Sequence, residues 1–259
     1  MLLKGKVIIV SGVGPGMGQS LARLAGAEGA KVVLGARNKE YLEEVAADIR
    51  AKGGEAIAQS CDVSDMAQCQ NIAETAVRAF GTIDGLVNSA YMHGAWNSVE
   101  AADVDEWKAI YDVNCLGSLR MAQAVLPAMK KAGGGAIVNV STQASVKPFP
   151  GEGGYATAKG GLTTLSRQMA KDFGKYGVRV NTTRMGWIGG APVQGWIDRE
   201  VAAGRKREEV VGGVTVDISL GIIPPEDDCA RGVLFLVSDY SKAVSGAVLD
   251  INGGQYMAP

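Results

Sequence analysis

The stretch SGVGPGMG, residues 11–18, places four glycines in eight positions directly after the apolar run Val7-Ile8-Ile9-Val10. Glycine inside regular structure costs about 0.5–1 kcal/mol relative to alanine, so this density marks a place where something approaches the backbone closely. What approaches depends on the elements around it.

Apolar runs predict strands over residues 7–10, 31–34, 86–88, 136–140, 179–181 and 247–251. Helical patterns fall between them, over 20–27, 39–52, 66–80, 102–114, 116–131, 155–175 and 227–237. In the second of these Leu42, Val45, Ala46 and Ile49 form one apolar face. Alternation at this length implies βαβ units, and continuous rather than alternating apolar runs imply strands buried on both sides. The expected fold is therefore α/β: a single-domain, Rossmann-like, doubly wound parallel sheet with helices on both faces, spanning residues 1–259. Residues 189–225 have scattered glycines and weak periodicity, which fits a substrate lid near the C-terminal third.

In such a fold the turn after the first strand meets the N-terminus of the first helix, where free N–H groups and the helix dipole favour anions. Glycines there let a dinucleotide pyrophosphate reach the main chain and let the helix pack close to the strand. Gly12, Gly14, Gly16, Met17 and Gly18 become candidate cofactor contacts.

Composition narrows the alternatives. The 259 residues are 47% hydrophobic and 20% charged, with net charge −1, so a nucleic-acid binder is not expected. The basic run Arg205-Lys206-Arg207 is followed at once by Glu208-Glu209 and reads as a solvated helix face. No apolar stretch reaches membrane-spanning length, and no signal-peptide pattern opens the chain. Cys61, Cys69, Cys115 and Cys229 are far apart and form no CxxC, which suits reduced thiols and a cytoplasmic location. A single histidine, His93, argues against a His-based zinc site, and no metal is expected.

The glycine spacing, Gly12-x-x-x-Gly16-x-Gly18, resembles the T-G-x-x-x-G-x-G of the classical short-chain dehydrogenase/reductase family, with Ser11 for threonine. Six further segments match in order over the whole chain. They are Cys61-Asp62-Val63, Leu86-Val87-Asn88-Ser89-Ala90-Tyr91, Asn114, Ile137-Val138-Asn139-Val140-Ser141, Tyr155-x-x-x-Lys159 with Val178-Arg179-Val180-Asn181, and Asp250-Ile251-Asn252-Gly253-Gly254. The resemblance implies an NAD(P)-dependent oxidoreductase that moves a hydride between nicotinamide and a ketone or secondary alcohol.

Tyr155 and Lys159 are four apart and share a helix face. A phenol titrates near ~10, and a neighbouring ammonium lowers that value, so Tyr155 is expected to act as general acid or base. The resemblance makes Asn114, Ser141, Tyr155 and Lys159 the catalytic set, with Ser141 and Tyr155 meeting one substrate oxygen and Asn114 holding a water linked to the lysine. It also implies cofactor contacts at Asp62, Val63, Asn88, Ala90, Gly186 and Ile188. Taken singly, each of these residues has an ordinary structural reading; their order and spacing carry the functional one.

Cofactor choice rests on Leu34-Gly35-Ala36-Arg37-Asn38. Alanine stands where NAD-preferring members carry aspartate, and Arg37 suits a 2′-phosphate. NADP(H) is therefore favoured over NAD(H), although Pro15 supplies no second basic residue. Ser89, Tyr91, Met185 and Gly190 depart from the family pattern, and the last two put contacts at the nicotinamide end in question.

The substrate pocket is expected to draw on Tyr91, His93, Trp96, Gln143, Phe149, Trp187 and Trp196, which suit a bulky, largely apolar small-molecule ketone or secondary alcohol. The resemblance implies that the helix carrying Tyr155 and Lys159 packs on a second copy, and the Ala-, Gly- and Thr-rich stretch 155–165 would let that copy approach, giving a homotetramer or dimer. Two other functions fit the same residues: a non-catalytic nucleotide-sensing or scaffold protein, and a carrier-linked 3-oxoacyl reductase. The second would need a basic docking patch, for which Arg120, Lys130 and Lys131 are the candidates.

Overall fold

The computed structural model describes residues 1–258. Seven parallel strands form one sheet in the order β3-β2-β1-β4-β5-β6-β7. They are β1 (Val7–Ser11), β2 (Lys31–Ala36), β3 (Glu55–Ser60), β4 (Gly85–Asn88), β5 (Gly135–Thr142), β6 (Val178–Met185) and β7 (Val248–Ile251). The strand order turns back between β1 and β4, the position where open α/β sheets bind ligands beyond the strands' carboxyl ends.

The central strand shows why the sequence needs two covering layers. Ile8 and Val10 enter one core with Leu21, Ala22 and Ala25 of α1 (Met17–Ala27) and with Val233 and Leu234 of α9 (Glu226–Val237). Leu42, Val45, Ala46 and Ile49 of α2 (Lys39–Ala51) join the same layer. Val7 and Ile9 enter the other core with Ile72 of α3 (Met66–Phe80) and with Met121 and Val125 of α5 (Gly117–Ala132). Successive side chains of a strand alternate between faces, so a continuous apolar run feeds both layers.

β3 is absent from the sequence-based set of strands. Its sequence, EAIAQS, is half polar, and it lies at the sheet edge with only Ala56 buried. An edge strand covered mainly by α2 needs no long apolar run, so the pattern rule finds little there.

The helices expected over 102–114 and 116–131 form one helical run: α4 (Val104–Tyr111), a π-helical turn (Asp112–Leu116) and α5. The wider turn falls at Asn114, and such bulges gather at functional sites. The long α6 (Gly153–Phe173) then follows β5. Within 189–225, whose weak periodicity predicted a lid, the chain forms α7 (Ala191–Ala202) and α8 (Arg207–Thr215). Their apolar faces are small, with Ile197, Val210 and Val214 buried, which is why periodicity was faint. Among the described residues no helix is long and apolar enough to cross a membrane.

Candidate active site

The glycine turn, β5, the start of α6 and α7 together line one cavity of about 930 Å³ beyond the carboxyl ends of the strands. Gly12 (φ 97°) packs so tightly on the next strand's extension that a Cβ there would lie 2.1 Å from Ala90 N. A Cβ on Gly18 would meet Gly12 O at 2.2 Å. Gly14 faces open space, and Gly16, at φ 155°, is the N-cap of α1 and has no side-chain cap. The first turn of α1 carries no acidic residue. Its free N–H groups therefore meet an open, glycine-floored space with nothing anionic in that turn, which suits a pyrophosphate. The residues fit a bound dinucleotide.

Gly186 and Ile188 line the same cavity. Five expected cofactor contacts stand apart from it. Asn88 is buried and donates its amide to Asn139 Oδ1 (2.8 Å) and Ser118 O (3.2 Å). Ala90 supports Gly12 from behind, and Val63 packs on Gly117. Asp62 accepts from Ser64 N and Oγ, bonds that hold its carboxyl below the usual carboxylate range. Arg37 is exposed just past β2, and no carboxylate lies within 4.0 Å of it among the described residues.

Tyr155 and Lys159 come together as their spacing predicts, with Lys159 Nζ 5.9 Å from the Tyr155 ring centroid. Their proton affinities differ from expectation. Lys159 is almost wholly buried, and its Nζ donates to Val140 O at 2.8 Å. Desolvation lowers its pKa to about 7, opposed by the nearby Cys115 thiol. Burial raises the Tyr155 phenol above its ordinary value, helped by Glu152 and Tyr91, and the hydrogen bond with Thr142 only partly opposes this. An ammonium turned to a main-chain carbonyl does little for a phenolate.

The lysine shift has a measurable consequence. Between about 7 and the ordinary 10.5, the unfolded chain binds a proton that folded Lys159 refuses, so its burial makes stability rise with pH across that window. Below the folded value the cost is fully present. Lys159→Met should flatten this rise in denaturant midpoints measured across the window; an unchanged slope would mean the amine is not desolvated.

The serine expected at the substrate oxygen lines the cavity, but its hydroxyl is engaged by the protein. Ser141 is buried, donates to Lys159 O at 3.1 Å and shares a bond with Thr163 Oγ1 at 3.2 Å. The next residue, Thr142, also lines the cavity, and its hydroxyl pulls the Tyr155 pKa down against the effect of burial. Adjacent strand residues point to opposite faces, so only one of the two can reach the phenol. Ser141 shares the parity of Asn139, whose amide donates to Ser166 of α6. That parity is readable in the sequence; the face turned to the phenol is not.

Asn114 is fully buried, its amide donating to Met92 O (2.7 Å) and Ile110 O (2.9 Å). It ties the helical run to the loop that carries Tyr91 and His93. His93 stacks on Tyr155 (centroids 5.0 Å) and on Trp96 (4.4 Å), and its Nε2 lies 3.3 Å from Glu152 Oε1. That carboxylate raises the imidazole pKa. Trp187 and Trp196 face each other at 5.2 Å across the turn into α7. Tyr91, Gln143 and Phe149 complete the expected pocket set, and all seven residues line the cavity. Gln143 donates to Gln255 Oε1 at 2.5 Å, while its own buried carbonyl oxygen has no partner.

Two departures from the family pattern have local causes. Met185 is a buried member of the α1/α9 core. At Gly190 a Cβ would lie 2.3 Å from Glu226 Oε2, so a threonine there would require the Glu226 carboxylate to move.

A glycine-floored dinucleotide cleft beside a tyrosine–lysine pair defines an NAD(P)-dependent oxidoreductase of alcohol and ketone groups. The chain belongs to the short-chain dehydrogenase family: the model described as short chain dehydrogenase matches residues 6–200. It is 34% identical over 253 residues to a 2,5-dichloro-2,5-cyclohexadiene-1,4-diol dehydrogenase of Sphingobium indicum, covering 97% of this chain and 96% of that one. It is also 34% identical to the trans-4-hydroxycyclohexanecarboxylate dehydrogenase of Sinomonas cyclohexanicum, over 96% and 92% of the two chains. Among solved structures, a 7α-hydroxysteroid dehydrogenase complexed with NADH and 7-oxo glycochenodeoxycholic acid superposes with TM-score 0.87 at 28% identity. That match covers 97% of this chain and 94% of the other.

Proposed function

We propose that this chain is an NADP(H)-preferring dehydrogenase of a bulky, largely apolar small-molecule ketone or secondary alcohol, with Tyr155 as general acid and base. The observation that carries the reading is the single cavity whose wall brings Tyr155, Thr142 and Lys159 together with the glycine turn. A bound nicotinamide dinucleotide supplies or accepts the hydride. Gly12, Gly14, Gly16, Met17 and Gly18 would hold its pyrophosphate, and Gly186 and Ile188 would hold its nicotinamide end. Asp62, Val63, Asn88 and Ala90 act behind these, through the loops they shape.

In reduction, Tyr155 donates its hydroxyl proton to the carbonyl oxygen, while Thr142 donates a hydrogen bond to the same oxygen and holds it in line. A phenol with a raised pKa remains protonated at neutral pH and ready to give that proton. In oxidation Tyr155 accepts the proton, and a protonated Lys159 turned from Val140 O toward the phenol favours the phenolate. Asn114 keeps the π-turn and the Met92 loop in place and can hold a water between lysine and solvent. Residues 189–225 cover the site as a lid. Its α7 reaches over the glycine turn, where Pro192 Cδ lies 3.5 Å from the Cβ position of Gly16.

Cofactor preference is tested at Arg37. A charge-assisted bond to a 2′-phosphate predicts that Arg37→Ala lowers the NADP/NAD preference by roughly 10- to 150-fold. Ala36→Asp should act in the same direction, by repelling phosphate and offering a carboxylate to the ribose. Equal weakening of both cofactors would leave Arg37 stacking on adenine only, and a wild type preferring NAD(H) would overturn the assignment. The coenzyme preference is read from initial rates at limiting dinucleotide.

The carrier-linked alternative has less behind it. Arg120 is paired with Asp112 at 2.6 Å, and Lys130 sits over the Tyr176 ring at 3.8 Å. A second copy of the chain fits the groove between α4 and α6, which is lined by Trp107, Tyr111 and Leu116. Exposed Val104 and Tyr111 at this groove support a homodimer or homotetramer. Four free, buried cysteines suit the cytoplasm.

A further inference from the structure

The cavity wall opposite in character to the glycine turn is aromatic and apolar, with Trp96, Phe149, Trp187, Val193 and Trp196. Two lysine or arginine side chains line the cavity, Lys159 and Arg199. The lysine is buried and bonded to Val140 O. Arg199 is exposed, on α7, one turn beyond Trp196.

Its neighbourhood leaves Arg199 without a counter-ion. The two carboxylates beside it in sequence are taken by other arginines: Asp198 by Arg207 at 3.0 Å, and Glu200 by Arg205 at 2.9 Å. Gln194, one turn back, accepts from Arg207 at 2.6 Å. Glu152, the remaining acid in the lining, is beside His93. Among the described residues no carboxylate lies within 4.0 Å of Arg199, and its guanidinium donates no hydrogen bond. Five N–H donors therefore sit at the solvent-facing mouth of an apolar cavity with no protein acceptor.

A planar guanidinium pairs two parallel N–H groups with the two oxygens of a carboxylate, a match that neither an alcohol nor a hydrocarbon offers. We infer that the substrate is an apolar, ring-sized ketone or secondary alcohol that carries a carboxylate, and that Arg199 is the residue that reads this charge. The inference rests on the oxidoreductase reading of the same site. The reacting carbon lies at Tyr155 and Thr142, the ring against the aromatic wall, and the acid at the solvent-facing helix. Placing the charge at the rim avoids burying a carboxylate, and the apolar wall favours the rest of the molecule.

The test compares 4-oxocyclohexanecarboxylate with 4-methylcyclohexanone in wild type and in Arg199→Met. Wild type should favour the acid. In Arg199→Met the ratio of kcat/KM for acid over neutral ketone should fall by about 10- to 100-fold, carried by KM for the acid. Added salt should raise the KM for the acid in wild type and leave the neutral ketone unaffected. A rise in KM for the dinucleotide alone would assign Arg199 to a cofactor phosphate and overturn the inference.

A second measurement needs no turnover. Cyclohexanecarboxylate titrated against wild type should change tryptophan emission through Trp187 and Trp196, and the response should be lost in Arg199→Met and absent with cyclohexylmethanol. If wild type binds the carboxylate but reduces neither ketone, the oxidoreductase reading falls and the anion site stands. If both ketones turn over with a ratio that Arg199→Met leaves unchanged, the anion site falls and the oxidoreductase reading stands.

Discussion

Tyr155→Phe is expected to lower kcat by about 10²–10⁴-fold on a ketone that wild type reduces, with dinucleotide affinity retained. The substitution removes one oxygen and keeps the ring. The contacts that place the ring, its stack on His93 at 5.0 Å and its edge contact with Tyr91 at 6.4 Å, do not depend on the hydroxyl. What is lost is the only group at that position able to give a proton to the carbonyl oxygen. The neighbouring acids and bases do not replace it: Lys159 Nζ is bonded to Val140 O, and His93 Nε2 faces Glu152. The measurement is single-turnover reduction alongside calorimetric titration of the dinucleotide. A variant with wild-type kcat would remove Tyr155 from the chemistry, and one that no longer binds dinucleotide would make it a structural residue.

The difference between what the sequence revealed and what it concealed follows physical lines. Strands buried on both faces announce themselves, because every position must be apolar; β1 is the clearest case. β3 does not, because an edge strand tolerates Gln59 and Ser60 and takes its order from the ladder to β2. The glycine turn was legible for the same reason as β1: at Gly12 and Gly18 the packing leaves no room for a Cβ. The pocket residues were found from their loops, but their arrangement was not. That His93 lies between Trp96 and Tyr155, beside Glu152, is a tertiary fact with no spacing to betray it. Arg199 escaped notice for a related reason, since its lack of a partner depends on Arg205 and Arg207 having claimed the acids beside it. The proton affinities of Tyr155 and Lys159 also lay beyond spacing, because i, i+4 placement fixes their proximity but not the direction of the ammonium.

The choice between two adjacent hydroxyls makes the sharpest test of the site. Thr142→Ala is expected to lower kcat by about 10²–10³-fold, the usual loss when one donor to a developing oxyanion is removed. Ser141→Ala should leave kcat near wild type and act on stability instead, because the Ser141 hydroxyl is spent on Lys159 O and Thr163 inside the α6 packing. Thr142→Ser keeps the donor and should recover most of the activity, which separates loss of the hydrogen bond from loss of the methyl group. Thr142 Oγ1 also accepts from Ala144 N at 3.2 Å, so the alanine variant will lose some order at the turn after β5. The readout must therefore include the pH profile of kcat. The hydrogen bond with Thr142 pulls the Tyr155 pKa downward against its burial, so removing it should move the basic limb to higher pH. A merely structural threonine would lower kcat without moving that limb. The reverse ranking, with Ser141→Ala inactive and Thr142→Ala active, would return the catalytic hydroxyl to Ser141 and require β5 to turn its other face to the phenol during turnover.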